Sequence, residues 1–305
     1  MKLRLVLRAN NALQKLAFIF LMVAATSVSH AESGHIDWFD WQFDYSSSNA
    51  PTGLTLQHVY YREHQILHHA SFPVMRVEYL NDACGPFADI LWTGNYVPIA
   101  QHEDIPVCGG DKLCQRTYEK DGEQFLEMGV NAKLGEYEIY QSWVFSNRGY
   151  FDAFVFSRGL QCAEDHTHHA HWRFDFDIDG SANDQVFKNT GNLQSTEFND
   201  TRTTTTFWSI QDAETGTRVE IIPGRDDGFP DDFSRWDVAV RTYKSDESKA
   251  WLWGPRGEIG SLFNNNENID REDSVFWYVT HLEHSAFNGE SLWHYSGPRI
   301  RVVLP

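Results

Sequence analysis

The sequence predicts an all-β chain folded as a large, mostly antiparallel β-sandwich, with a barrel as the structural rival. Three observations predict it. Short segments alternate apolar and polar residues, they are enriched in β-branched and aromatic side chains, and Gly, Asn and Asp separate them. In chain order they are "GLTLQHVYY" (Gly53–Tyr61), "PVMRVEYL" (Pro73–Leu80), "FDAFVFSRG" (Phe151–Gly159), "WRFDFDIDG" (Trp172–Gly180) and "TTTTFWSI" (Thr203–Ile210). "TRVEIIPG" (Thr217–Gly224), "WDVAVRTY" (Trp236–Tyr243), "SVFWYVTHL" (Ser274–Leu282) and "RIRVVLP" (Arg299–Pro305) follow. Only a few stretches, such as Asp232–Trp236, suit a short helix. There is no internal repeat, heptad pattern or low-complexity linker.

The chain has 305 residues and opens with a basic stretch, Lys2, Arg4, Arg8 and Lys15, before the apolar run Leu16–Val28 and the small residues of "SHA". That order describes a secretory leader, residues 1–31, cleaved after Ala31. A membrane anchor is the alternative, but the run falls short of the ~20 residues needed to span. Residues 32–305 then form one domain, periplasmic or secreted, with length enough for a sizeable core. The formal charge of −18 argues against nucleic acid and attracts cations weakly at physiological salt. Cys84, Cys108, Cys114 and Cys162 sit in an exported chain, so disulfides are permitted, and spacing leaves all three pairings open.

The run Asp165–Gly180, "DHTHHAHWRFDFDIDG", concentrates the chemistry. Side chains of a strand alternate between faces. His166, His168, Ala170, Trp172, Phe174, Phe176 and Ile178 share one face, apolar with two histidines at its head. The other face, with His169, His171, Arg173, Asp175 and Asp177, is polar. His166 and His168 have the spacing of two metal ligands on one strand. Neutral imidazoles suit copper, zinc, iron or nickel. The plainer alternative is a pair of hydrogen-bonded core histidines.

These residues resemble the copper amine oxidases. "HTHHAHWRFDFDIDG" is similar to that family's H-x-H strand and its acidic ending. "LGEYEIYQSWVFSNRG" (Leu134–Gly149) resembles the strand whose tyrosine is self-processed to topaquinone, which makes Tyr137 the precursor. "NNNENIDREDSVFWYVTHLEH" (Asn264–His284) looks like the late segment ending at the third copper ligand, here His284 rather than His281. "RVEIIPG" and "GPRIRVVLP" extend the likeness over most of residues 32–305, and it covers the catalytic β-sandwich domain alone. The resemblance implies copper on His166, His168 and His284, and a hydrogen bond from Tyr79 to the quinone. It also implies a calcium site at Asp175, Asp177 and Asp273 with the Ser274 carbonyl, against the alternative of a solvated acidic edge. It further implies a Cys84–Cys108 disulfide, leaving Cys114–Cys162 as a second pair or two free thiols.

The implied reaction is oxidative deamination of a small primary amine by dioxygen to aldehyde, ammonia and hydrogen peroxide, in a chain without a membrane span and with homodimerisation as a family trait. Two departures stand out. Glu136 replaces the asparagine before the cofactor tyrosine. The segment carrying the family's proton-abstracting aspartate is missing between Tyr79 and Cys84, and Asp82 lies too near Cys84 to inherit that role by alignment. A periplasmic copper-binding protein without amine turnover, or a sandwich with structural histidines, therefore stands beside the oxidase expectation.

Overall fold

The computed structural model describes residues 32–47, 52–80, 84–99, 103–106, 113–245, 264–287 and 291–305. The expected leader, Asp82 and Cys108 lie outside them. The strands are β1 (Ser33–Trp38), β2 (Trp41–Ser46), β3 (Thr55–Tyr61), β4 (His64–Glu78), β5 (Phe87–Asp89), β6 (Cys114–Lys120), β7 (Glu123–Leu134), β8 (Tyr137–Ser146), β9 (Tyr150–Arg158) and β10 (His166–Asp175). They continue with β11 (Asp184–Lys188), β12 (Asn192–Gln194), β13 (Phe198–Asp200), β14 (Trp208–Asp212), β15 (Arg218–Ile222), β16 (Val238–Thr242), β17 (Ser274–His284), β18 (His294–Ser296) and β19 (Arg299–Val303).

They pair into two sheets, ordered β1-β2-β3-β4-β10-β17-β16-β13 and β12-β11-β14-β15-β19-β9-β8-β7-β6, with β5 on β4 and β18 on β9. The pairings are antiparallel, and the result is a sandwich rather than a barrel. Among the described residues the one complete helical turn is the three-residue 3₁₀ segment Thr93–Asn95. No helix there is long and apolar enough to cross a membrane. Asp232–Trp236, which suited a short helix, is bent loop: the Asp231 carboxylate accepts from the Phe233 and Ser234 amides and holds a turn instead. The threonines of "TTTTFWSI" also precede their strand, because β14 starts only at Trp208.

Aromatic side chains fill the space between the sheets. Trp172 of β10 meets Phe72 of β4 and Trp143 of β8, at ring-centroid distances of 4.8 and 5.1 Å. Trp41 and Phe43 of β2 close on Phe145 at 5.2 and 4.3 Å. Buried indole N–H groups need acceptors, and they have them: Trp41 donates to the Ser146 carbonyl, Trp143 to the Leu54 carbonyl and Trp172 to the Thr280 hydroxyl.

The polar face of β10 is covered, since His169, His171, Arg173 and Asp175 are all buried. The loop after Asp227 lies over it, with Asp231 against His169 and Phe233 under the Arg76 guanidinium. The disulfide joins Cys84 to Cys162, not to Cys108, with Cα atoms 6.5 Å apart. Pairing of β4 with β10 brings the chain beyond Tyr79 beside the loop that enters β10, and Cys162 sits in that loop. Cys114 is also disulfide-bonded, which excludes the Cys114–Cys162 alternative.

Candidate metal centre

Register builds the site. In the β10–β17 pair His166 faces His284 directly and His168 faces Leu282, so the two elements put all three histidines on the inner face. Their ring centroids lie 4.9 Å (His166–His168), 5.1 Å (His166–His284) and 4.6 Å (His168–His284) apart. Tyr137, the first residue of β8 in the opposite sheet, points at them, its ring 4.4 Å from that of His168. Tyr79, just beyond β4, lies behind it.

Hydrogen bonds fix which nitrogen is available. His166 Nδ1 lies 2.8 Å from the Glu164 carbonyl, an acceptor, so that nitrogen carries the proton. Nε2 is therefore the bare one, and it accepts from the Tyr137 hydroxyl at 2.9 Å. The Tyr137 oxygen in turn accepts from the Tyr79 hydroxyl at 2.8 Å and from the Gln161 amide at 3.2 Å. His168 Nδ1 meets the Ser157 hydroxyl at 3.3 Å. His284 is only 4% exposed and neither of its ring nitrogens has a hydrogen-bond partner.

Burial sets the protonation states. It lowers the pKa of His166, His168 and His284, the last to about 2, so these imidazoles are neutral near pH 7. It also raises that of Tyr137 above the ordinary phenol value, partly opposed by the Tyr79 hydrogen bond. Neutral buried imidazoles, two orphaned nitrogens and a bare Nε2 are a donor set that fits copper or zinc. The rings are close but not turned to a common point. Among the described residues only Asp175, Asp177 and Asp273 bring three ligand atoms within 4.8 Å of one another. At His166 the Nε2 lone pair is engaged by the Tyr137 hydroxyl, so an ion drawing on it must displace the phenol proton.

Gly159, after β9, holds Tyr137 in place. Its φ is +133°, and a Cβ there would sit 2.6 Å from the Glu136 carbonyl and 3.0 Å from the Tyr137 Cα. Gly159→Ala is expected to cost about 1–3 kcal/mol through strain and displaced backbone, seen as a lower Tm. An unchanged Tm would mean that the two passages separate freely.

The acidic trio lies at the other end of β10. Burial, followed by mutual repulsion, raises Asp177 to about 7; burial and the Asp175 charge raise Asp273 to about 6. Asp175 is raised by burial and opposed by Arg173, whose guanidinium stands 3.4 Å away. One oxygen each of Asp177 and Asp273 is buried without a partner. His281 is on the opposite face from His284: its Nδ1 is 2.8 Å from that of His169.

Several neighbours have no local sequence signal. Gln161 and Ser157 touch the site through contacts that only the fold creates. His294 of β18 lies with its ring centroid 4.3 Å from His284. Asp89 of β5 exerts its charge on both phenols, and burial raises its own pKa.

No protein-family description and no curated protein matches the sequence. Solved structures do resemble it. An amine oxidase from Aspergillus nidulans superposes with a TM-score of 0.70 at 14% identity, over 88% of this chain and 51% of that one. A copper-containing benzylamine oxidase from Hansenula polymorpha gives 0.66 at 13%, over 88% and 59%. A lysyl oxidase from Pichia pastoris gives 0.66 at 15%, over 98% and 56%. The chain spans between 51% and 59% of those chains. Similarity at such identity concerns architecture: the chain has the β-sandwich fold of the copper amine oxidases.

Proposed function

We propose that this chain is an exported, copper-dependent oxidase of primary amines that makes its own quinone from Tyr137. The observation that carries the reading is the Tyr137 hydroxyl, buried in a cluster of three neutral imidazoles and donating to the bare Nε2 of His166. His166, His168 and His284 would hold the copper, which with the quinone supplies the oxidising chemistry that no ordinary side chain has. Tyr79 and the Gln161 amide hold the Tyr137 oxygen by two hydrogen bonds and orient its ring.

An opening of about 710 Å³ leads to Tyr79, His166 and His284. Glu78, Asp165, Asp231, Asp232 and Glu283 line it, and among the described residues no lysine or arginine does. Such a mouth favours a cationic visitor, as an amine is before it loses its proton. The leader expected over residues 1–31 supports export to the periplasm or beyond.

A copper-binding protein without turnover is the second reading, favoured by the missing base segment. Copper analysis of the purified chain followed by phenylhydrazine staining separates the two. The oxidase reading expects one copper per chain and a coloured adduct that appears only after copper and oxygen are supplied. Copper without an adduct favours the second reading, and no copper overturns both.

The acidic trio is proposed to take calcium, as hard carboxylate oxygens would. Its raised pKa values mean that the fold prefers the protonated forms. Without the cation, stability therefore falls as pH climbs from the ordinary carboxylate range through about 6 and 7. Calcium binds the ionised forms, so it should raise Tm strongly at about pH 8 and little at about pH 5. Equal shifts at both would rule the site out.

A further inference from the structure

We propose that a small cavity on the outer face of β10 holds a monatomic anion, chloride in ordinary buffers, bound by His171 and Arg76 under the loop that follows Asp227. The proposal is independent of the oxidase reading. The cavity measures about 10 Å³, of the order that one water occupies, so phosphate, sulfate and organic acids are too large for it. Its polar lining is Arg76, His171, Ser234 and Arg235, and Trp236 and Trp277 help to close it. Among the described residues no carboxylate lines it. Register brings the two main groups together. In the β4–β10 pair Arg76 stands opposite His169 and Val74 opposite His171, so Arg76 and His171 project from the same face of the sheet.

His171 carries the argument. It is 2% exposed, and neither of its ring nitrogens has a hydrogen-bond partner. Burial, then the Arg76 charge, lowers its pKa well below the usual imidazole value, so the ring is neutral and has one N–H to donate. A buried donor without an acceptor is costly. The charges that act on the ring are those of Arg76 and, when protonated, His169 and His281; none of them is negative. The Arg76 guanidinium is itself buried and lies 4.5 Å from the centre of the Phe233 ring. The carboxylate that the loop brings to this face, Asp231, is committed elsewhere: it accepts from the Phe233 and Ser234 amides and faces His169 Nε2 at 3.2 Å. Water would accept the His171 N–H as well, but a lining with two guanidinium groups and no carboxylate favours a negative guest. Ser234, Arg235 and Trp236 belong to the loop whose Asp231, Asp232 and Phe233 line the 710 Å³ opening, so the anion pins that rim to the sheet.

The test uses the full chain and the halides themselves. Crystals soaked in sodium bromide should show an anomalous peak inside the cavity, within hydrogen-bond reach of a His171 nitrogen. In solution, chloride NMR relaxation should report one saturable site from which bromide displaces chloride. His171→Leu should weaken halide binding at least about tenfold, because the anion loses its buried donor. His171→Gln, which keeps an N–H, should recover part of that loss. Circular dichroism confirms that each variant is folded, and if one is not, the wild-type bromide map decides alone. A cavity without anomalous signal, empty or holding water, overturns the proposal. Bromide at the surface alone, an adventitious ion only, overturns it too, as does a folded His171→Leu chain that binds within about twofold of wild type. The copper and phenylhydrazine assays are untouched by any of these results, so the oxidase reading stands or falls separately.

Discussion

Tyr137→Phe is expected to abolish the phenylhydrazine adduct completely while leaving copper binding intact. Quinone formation oxygenates the ring that the phenol oxygen activates, and phenylalanine lacks that oxygen. Copper affinity should hold or rise, because the hydroxyl that engages His166 Nε2 is gone. Stability should move the other way. The Tyr79 hydroxyl and the Gln161 amide lose their shared acceptor, and His166 Nε2 loses its donor. Buried groups left unmatched cost about 1–3 kcal/mol. Copper restores a partner to Nε2, so the Tm deficit of the variant should shrink on loading. A persistent adduct in the variant would move the cofactor away from Tyr137, and an equal deficit with and without copper would remove His166 from the centre.

Trp172→Ala is expected to be the most damaging substitution for folding. The indole is fully buried, contacts Phe72 and Trp143, and donates to Thr280. Emptying such a site costs about 3–5 kcal/mol, and in a domain of this size Tm should fall by roughly 10 °C. The residue lies on the histidine face of β10, so the cavity opens beneath the proposed centre. Thermal unfolding with and without copper measures it. A Tm drop of less than about 3 °C would show that the sheets close over the gap, against the packing described.

The residue pattern shows the fold because alternation is local and both sheets are antiparallel. His166 and His168 could be separated from His169 and His171 by parity alone, and the structure keeps that separation of faces. Parity does not say what covers a face. Nothing in "HTHHAHWRFD" reveals that the loop bearing Asp231 and Phe233 lies over the polar side. The short helix that Asp232–Trp236 could have formed does not form, since one aspartate capturing two amides outweighs the residues' modest helix preference. Cys84 found Cys162 because β4 and β10 are neighbours, and adjacency of strands far apart in sequence is a tertiary fact. His294 escaped notice likewise. A lone histidine in a three-residue strand carries no periodicity, and its closeness to His284 comes from the pairing of β18 with β9 in the facing sheet.

The Cys84–Cys162 bond has a practical consequence for anyone preparing this protein. One cysteine follows Tyr79 and the other adjoins Gln161, the two residues that steady the Tyr137 oxygen. The staple therefore brackets the Tyr137 phenol from both sides, and thiol-rich cytosol would leave it open. Material made there and found colourless would report the expression host's redox state rather than the chain's capacity, so oxidative secretion belongs in the first assay.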